Sequence, residues 1–263
     1  MSNDNPIGVF DSGLGGISVL NHLTSLMPHE QFIYVADSAY CPYGTKPHEY
    51  IQQRASRIVD WLLQKKVKLV VVACNTATAA AISFLRKSYN IPFVGMEPAI
   101  KPAASLTKTN VVGVLATQNT FNGDLFKETR QKYAQHIQTI IQVGHGLVEL
   151  VENNRIESAE ALALVKQYTT PMVDADADYI VLGCTHYPFL QDVIKQVAPS
   201  LKIIDPAEPV ARRTLQLLEM HNIKSSHTGL TTTEIWTTGK KQQLVSFANA
   251  YISGLWKSWE INI

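Results

Sequence analysis

Residues 70–79 read VVVACNTATA, and residues 180–189 read IVLGCTHYPF. In each stretch a short apolar run leads to a cysteine, Cys74 in the first and Cys184 in the second, and small hydrogen-bonding residues follow at once. Short β-branched runs of this kind are typical of strands that helices cover on both faces, as in parallel sheets. The two stretches therefore predict buried strands that end on thiols in an α/β fold.

The same alternation of strand and helix patterns extends along the chain. Predicted strands lie at 6–11, 32–37, 69–74, 92–96, 111–116, 139–143, 178–184 and 202–205. Predicted helices lie at 48–65, 76–88, 120–135, 158–173, 189–198 and 207–220, and a last strand within 232–239 precedes a helix at 241–253. Strands that alternate with helices indicate parallel sheets flanked by helices.

The arrangement is roughly twofold, because one series of strands and helices runs to about residue 96 and a second begins near residue 111. Each series contains one strand that ends in cysteine. Ligands of open α/β sheets bind beyond the carboxyl ends of the strands. We therefore predict an α/β protein of two similar domains, 1–97 plus 208–263 and 98–207. Each would have a mostly parallel sheet flanked by helices, with the active site in the cleft between them.

Composition excludes several classes of function. The 263 residues carry 23 Lys+Arg and 22 Asp+Glu, a formal charge of +1, and no basic block, so we expect no nucleic-acid partner. Apolar runs are too short for a membrane span, and the start of the chain has no signal-peptide pattern, so we expect a cytoplasmic protein without membrane contact. Three scattered cysteines with no metal-ligand spacing predict neither a disulfide framework nor a metal site.

A glycine-rich turn follows the first predicted strand, in FDSGLGGISVL at residues 10–20. Asp11 and Ser12 end the strand, and the glycines lead into a helix whose free N–H groups suit a carboxylate or a phosphate. A dinucleotide site is the competing interpretation, with Asp37 as the ribose-binding acid. Ser18 stands where the third glycine of that motif is required, which disfavours it.

Polar residues beside the two cysteines could take part in chemistry. A helix N-terminus stabilises a thiolate, and the histidine after Cys184 titrates near neutrality. Each residue also has a simpler interpretation: a buried structural thiol, an exposed or capping histidine, or, for Glu152, a solvated helix face. The loop ADSAYCPYGTK at residues 36–46 is explained well enough as a turn.

Two thiols at equivalent strand ends suit proton removal from one face of a carbon and proton return to the other, which is racemisation. A cysteine hydrolase would leave the second thiol unexplained, and redox dithiols usually lie close in sequence. A pyridoxal-phosphate racemase is disfavoured because no lysine stands out beside a phosphate site. A two-lobed binding protein without catalysis remains an alternative.

Five stretches together resemble those of the glutamate racemases, in the cofactor-independent aspartate/glutamate racemase superfamily. They are GVFDSGLGGISVL, DSAYCPYGTK, VVVACNTATA, GVLATQNTF and IVLGCTHYPFL, and the resemblance covers the chain nearly end to end. It implies the interconversion of L- and D-glutamate without a cofactor, and a supply of D-glutamate for peptidoglycan synthesis. Within the superfamily, the alternatives are a racemase of aspartate or another amino acid and a single-cysteine decarboxylase, which the second thiol disfavours.

The resemblance also implies roles for individual residues. Cys74 and Cys184 match the two acid/base catalysts, Asp11 and His186 match assisting residues, and Glu152 matches a further catalytic acid. The implied substrate-binding residues are Asp11, Ser12, Tyr43, Gly44, Asn75, Thr76, Thr185 and His186, with Thr117 and Thr120 as additional candidates. Cys41 has no catalytic counterpart and is interpreted as structural.

The chain departs from the family pattern at two places. VGHGLVELVE replaces a frequent Cys-Pro pair before Glu152, and Asp205-Pro206 replaces a frequent Asp-Ser. Both lie away from the two cysteine turns. Family members are often dimers, so we expect a homodimer.

Overall fold

The computed structural model describes residues 3–97 and 99–263, and its framework is two parallel β-sheets. Within those residues the strands are Ile7–Asp11 (β1), Phe32–Ala36 (β2), Leu69–Val72 (β3), Phe93–Gly95 (β4), Val111–Ala116 (β5), Gln138–Val143 (β6), Tyr179–Gly183 (β7), Lys202–Ile204 (β8), Thr233–Thr237 (β9) and Trp256–Glu260 (β10). The larger sheet has the order β10-β9-β2-β1-β3-β4, and the smaller has β6-β5-β7-β8.

Helices connect and cover these strands. The α-helices are Ile17–Leu26 (α1), His48–Gln64 (α2), Asn75–Ser88 (α3), Ile100–Leu106 (α4), Gln118–Asn122 (α5), Asp124–Tyr133 (α6), Leu147–Glu152 (α7), Ala159–Asp174 (α8), Gln191–Val197 (α9), Ala207–Met220 (α10) and Lys241–Tyr251 (α11). Short 3₁₀ turns lie at Ser38–Tyr40 and Tyr187–Leu190. None of the helices that the described residues form is long and apolar enough to cross a membrane.

The predicted α/β class with two parallel sheets is confirmed. Each predicted strand is present with ends within two residues of the expected ones. The apolar runs of β1, β2 and β3 are buried along their whole length, whereas β6 and β8 are only partly covered. Strands β9 and β10 return to the larger sheet after the smaller one is complete. The domain ranges 1–97 plus 208–263 and 98–207 stay a prediction, and residues 1, 2 and 98 within them lie outside the described residues.

The single helix predicted at 120–135 is wrong. The chain forms α5 and α6 instead, because Gly123 between them is extended, with φ −67° and ψ 144°. A Cβ atom at Gly123 would lie 2.8 Å from the Cβ of Ala79, so the break lets this segment pack closely on α3. The helical periodicity continues across the break, which is why the sequence pattern did not reveal it.

The aromatic tail of the chain forms a strand that was not predicted. Strand β10 pairs in parallel with β9, and Trp259 stacks on Trp236 with ring centroids 4.9 Å apart. No residue of β10 is buried, and its sequence WKSWE lacks the continuous apolar run that marks strands such as β1 and β3. The tail therefore extends the larger sheet at its edge.

Candidate active site

Cys74 lies at the junction of β3 and α3, where its backbone is extended and its side chain caps the helix. Its sulfur accepts a hydrogen bond from the backbone N–H of Ala77 at 3.4 Å and donates to the hydroxyl of Ser12 at 3.7 Å. Only 4% of the residue is exposed. Burial, followed by the charge of Asp11, raises the pKa of the Cys74 thiol.

Cys184 holds the equivalent position after β7 of the smaller sheet and is 7% exposed. Its sulfur lies 3.7 Å from Nδ1 of His186. The two thiol turns meet at the consecutive residues Asp11 and Ser12. The hydroxyl of Ser12 lies 3.7 Å from the Cys74 sulfur, and the carboxylate of Asp11 accepts a hydrogen bond at 2.9 Å from Thr185, which follows Cys184. The fold therefore brings together two thiols that belong to different sheets.

Asp11 ends β1 between the two thiol turns. Its carboxylate accepts hydrogen bonds from the backbone N–H of Gly13 at 2.7 Å and from the hydroxyl of Thr185 at 2.9 Å. Complete burial raises the pKa of Asp11 to about 6, although the charge of His186 and these hydrogen bonds oppose the rise. The hydroxyl of Ser18 donates to the carbonyl of Thr185 at 3.1 Å, which ties the two sheets together at the same place.

His186 and Glu152 form a buried pair behind Cys184. Nε2 of His186 lies 2.6 Å from Oε1 of Glu152, and the backbone N–H of Leu14 donates to the same oxygen at 2.6 Å. Burial alone would lower the pKa of His186, but hydrogen bonds with Cys184, Cys41 and Glu152 raise it well above its ordinary value. The last residue of α7 is thus part of the site even though its local sequence departs from the family pattern.

The loop of residues 41–46 closes one side of the site. The hydroxyl of Tyr43 donates to Asp37, and Arg54 binds the same carboxylate through two nitrogens at 2.7 and 3.0 Å. A Cβ atom at Gly44 would lie 3.1 Å from the Cβ of Thr117, so the loop approaches the smaller sheet closely. Asn119 donates to the carbonyl of Tyr43 at 3.0 Å, which holds the loop there.

Three threonine hydroxyls form a chain across the cleft. The hydroxyl of Thr76 lies 2.8 Å from that of Thr117, which lies 2.9 Å from that of Thr120. Thr76 lies in the first turn of α3 beside Cys74, whereas Thr117 caps α5 after β5 and Thr120 lies within α5. Thr117 and Thr120, the additional substrate-binding candidates, therefore lie beside Thr76.

Asn75 is buried beside Cys74 without a side-chain hydrogen bond. The residue is 3% exposed, and neither its side-chain oxygen nor its side-chain nitrogen has a hydrogen-bond partner. Buried amides are nearly always paired, because an unpaired one forfeits its hydration without compensation. The side chain offers one acceptor and two donor hydrogens to a polar molecule at the thiols.

The structure thus gathers the residues singled out from the sequence at one junction between the sheets: Asp11, Ser12, Tyr43, Gly44, Cys74, Asn75, Thr76, Thr117, Thr120, Glu152, Cys184, Thr185 and His186. Cys41, interpreted as structural, also reaches it. Its sulfur, a ring nitrogen of His186 and a carboxylate oxygen of Glu152 all lie within 4.8 Å of one another. These three residues are far apart in sequence, so no spacing could have revealed the cluster.

Little free space remains at this junction. A cavity of about 50 Å³ lies beside Gly44 and Thr117. Sites that enclose a small molecule usually measure roughly 300–1,000 Å³. Both thiols are also nearly inaccessible, so the described conformation is closed over them.

Comparison with known proteins gives a consistent family. Residues 16–214 match the model of the Asp/Glu/Hydantoin racemase family. The glutamate racemase of Herpetosiphon aurantiacus is 48% identical to this chain over 237 residues, which are 90% of this chain and 93% of that protein.

Solved structures agree with the sequence match. The Escherichia coli glutamate racemase, solved with L-glutamate and the activator UDP-MurNAc-ala, superposes with a TM-score of 0.85 at 32% identity, covering 97% of this chain and 98% of that one. The Francisella tularensis glutamate racemase, solved with D-glutamate, has a TM-score of 0.85 at 27% identity and covers 99% and 98%.

Proposed function

The chain belongs to the Asp/Glu/hydantoin racemase family and is an amino-acid racemase, and we propose that it interconverts L- and D-glutamate through its two thiols. The observation that carries this proposal is the pair of buried cysteines at equivalent strand ends of the two sheets, with the unpartnered amide of Asn75 between the thiol turn and the cleft. The relatives named for glutamate support the choice of substrate.

In the proposed reaction, the thiolate of one cysteine removes the α-proton of glutamate, which breaks the Cα–H bond and forms an S–H bond. The electron pair left on Cα is delocalised into the α-carboxylate. The other cysteine, present as a thiol, then donates its proton to the opposite face of Cα. Cys74 and Cys184 exchange these roles according to the enantiomer that enters.

A thiolate is needed at the start, although burial in the closed, empty site raises the pKa of Cys74. The α-ammonium group of glutamate would bring a positive charge to the buried thiols, and an opposite charge lowers a thiol pKa. Asp11 lies beside the Cys74 turn, and the His186–Glu152 pair lies beside Cys184, so each thiol has a proton-handling group on its own side.

Substrate recognition is assigned to the polar groups that surround the thiols. Donors are required most at the α-carboxylate, because it gains charge as the α-proton leaves. Asn75 offers a free amide, and the other proposed contacts are Asp11, Ser12, Tyr43, Gly44, Thr76, Thr117, Thr120, Thr185 and His186. The hydroxyl of Tyr43 is already bonded to Asp37, so we assign binding by this loop to its backbone.

The proposal extends to the cellular setting. A cofactor-independent glutamate racemase would supply D-glutamate for peptidoglycan synthesis in the cytoplasm, and we propose that it works as a homodimer. Neither nucleic acid nor a membrane is a proposed partner.

Exchange of the α-proton in deuterated water tests this function. Protein without added cofactor is incubated with L-glutamate, while NMR follows loss of the α-proton signal and circular dichroism follows racemisation. Wild type should show both with glutamate and neither with aspartate. Cys74→Ala and Cys184→Ala should each abolish racemisation.

Cys41→Ala provides the matched control for loss of a thiol within the same site. If Cys41→Ala abolishes turnover while Cys74→Ala does not, the assignment of the two bases is incorrect. If no amino acid loses its α-proton, the thiols do not form an acid/base pair, and the binding-protein alternative returns.

A further inference from the structure

Behind Cys184 lies a group of metal-ligand atoms that the proposed reaction does not require as a set. The sulfur of Cys41, a ring nitrogen of His186 and a carboxylate oxygen of Glu152 are mutually within 4.8 Å. His186 and Glu152 already touch, with 2.6 Å between Nε2 and Oε1. The sulfur of Cys184 lies a further 3.7 Å from Nδ1 of the same ring.

Sulfur, imidazole nitrogen and carboxylate oxygen are the ligand types that zinc prefers. Around a tetrahedral zinc ion the bonds are about 2.0–2.3 Å long, which places neighbouring ligand atoms roughly 3.3–3.7 Å apart. The 2.6 Å between His186 and Glu152 must therefore widen, while the Cys41 sulfur, within 4.8 Å of both atoms, comes to bonding distance of the ion. Such movements are within the reach of three side chains that start from different elements.

We propose that this cluster of Cys41, Glu152 and His186 is an inhibitory binding site for a divalent ion of the zinc class. The ion would take three protein ligands and leave its fourth position to water. It is not a resident cofactor, because occupancy removes His186 and Glu152 from the side of the site that serves Cys184.

Binding is a ligand exchange without a redox step. A bond forms between zinc and the sulfur of Cys41 while its S–H bond breaks, and the proton passes to solvent. The hydrogen bond between His186 and Glu152 is replaced by one bond from each residue to the ion, and the proton that the ring nitrogen held in that hydrogen bond also passes to solvent. Removing the ion with a chelator reverses these changes.

The burial of the cluster argues for a site rather than a chance surface contact. His186 is 1% exposed, the side chain of Glu152 is 11% exposed, and the backbone N–H of Leu14 fixes the carboxylate at 2.6 Å. A preorganised oxygen and nitrogen lose little freedom when an ion binds. The backbone at Gly13 packs directly against the cluster, since a Cβ atom at Gly13 would lie 3.1 Å from the Cys41 sulfur.

Cobalt(II) gives a direct readout, because its visible bands report tetrahedral coordination and a near-ultraviolet charge-transfer band reports a bound thiolate. The full chain, stripped with a chelator, is titrated with cobalt chloride, and zinc is then added to displace it. We expect one equivalent of tetrahedral cobalt with a thiolate band, and reversible loss of racemisation in parallel.

Cys41→Ala, or Cys41→Ser if the alanine variant fails to fold, should weaken cobalt binding by at least about tenfold and lose the thiolate band of Cys41. Cys74→Ala is the matched control, because it removes a buried thiol from the other side of the site and should leave both unchanged. Absence of binding, wild-type affinity in both Cys41 variants, or loss of the band in Cys74→Ala would each overturn the proposal.

Only the link to inhibition rests on the proposed function. Glutamate should compete with cobalt because His186 is both a proposed substrate contact and a proposed metal ligand. If cobalt binds as expected while glutamate is not racemised, the metal site stands and the proposed function fails. If glutamate is racemised but cobalt does not bind, the reverse holds.

Discussion

Asp11 has no exposed surface, and its burial raises the pKa of its carboxyl from 3.8 to about 6. Between these two values the folded protein keeps a proton that the unfolded chain releases. The contribution of Asp11 to the free energy of unfolding is therefore greatest below pH 4 and falls as the pH rises to 6, by roughly 3 kcal/mol. The burial of Asp11, a proposed site residue, therefore has a cost in stability at neutral pH.

Asp11→Asn should remove the decrease in the free energy of unfolding that the titration of Asp11 causes between pH 4 and pH 6. Relative to wild type, its free energy of unfolding should increase by roughly 2–3 kcal/mol between pH 4 and pH 7, because the neutral amide releases no proton on unfolding. Urea denaturation at a series of pH values measures the difference. Parallel curves for the two proteins would show that Asp11 does not titrate in this range.

Gly15 stands against the imidazole of His186. A Cβ atom at Gly15 would lie 2.3 Å from Nδ1, a distance that only displacement of the ring relieves. Gly15→Ala should therefore reduce kcat by about 100-fold or more, since a shift of about 1 Å in a catalytic group can cost that much. Racemisation is followed by circular dichroism.

Gly229→Ala is the control for Gly15→Ala. Its Cβ would meet only the side chain of His227 at 3.2 Å, and this exposed ring can move. We expect near wild-type turnover. Equal activity in the two alanine variants would mean that the position of His186 does not limit the reaction.

At the scale of elements, helix α2 holds the loop that carries Cys41 and Tyr43. Arg54 of α2 forms a bidentate ion pair with Asp37 at the end of β2, and the two side chains are 5% and 0% exposed. The carboxylate of Asp37 also accepts hydrogen bonds from the hydroxyls of Tyr43 and of Thr238, which follows β9. A residue first considered as a ribose-binding acid therefore anchors the loop that lines the site.

Arg54→Met should lower the free energy of unfolding by about 3–5 kcal/mol, because it leaves the carboxylate of Asp37 buried without its cation. Arg212→Met is the matched control. Its partner Glu208 is on the same helix, and both side chains are more than half exposed, so the loss should be at most about 0.5 kcal/mol. Chemical denaturation compares the two variants, and equal losses would contradict the anchoring role.

The element boundaries show where local sequence is informative. Strands such as β3 and β7 have continuous apolar runs that only a doubly covered sheet can bury, so their positions were predictable. The break at Gly123 and the edge strand β10 were not, because the first depends on contact with Ala79 and the second on the neighbouring strand β9.

At the scale of the whole molecule, the two sheets are held closed around a nearly filled site. Asn119 bridges the cleft by donating to the carbonyls of Tyr43 and Lys46 at 3.0 and 2.8 Å. Because Cys74 and Cys184 are both buried in this state, the rate at which a reagent reaches their thiols measures how often the sheets separate.

Asn119→Ala should speed the reaction of the thiols with an aromatic disulfide reagent by roughly tenfold. The variant loses two hydrogen bonds, and each of them stabilises the closed state of the wild type by about 0.5–1.5 kcal/mol. Gln118→Ala is the control, because the side chain of Gln118 contacts only exposed Asn122 of the same helix at 3.1 Å. Modification is followed by absorbance. An unchanged rate in Asn119→Ala would show that opening does not depend on these contacts.

The sequence by itself determined the α/β class, the two strands that end on thiols, and the residue types around each thiol turn. These features are local: burial and helix capping act on consecutive residues, so their periodicity and composition are visible in the chain. Only the tertiary structure decided that Glu152 and Cys41 meet His186, that Asn75 is left without a partner, and that Thr76 continues into the hydroxyls of the second sheet. Such contacts join residues distant in sequence, and their geometry depends on how the two sheets pack against each other.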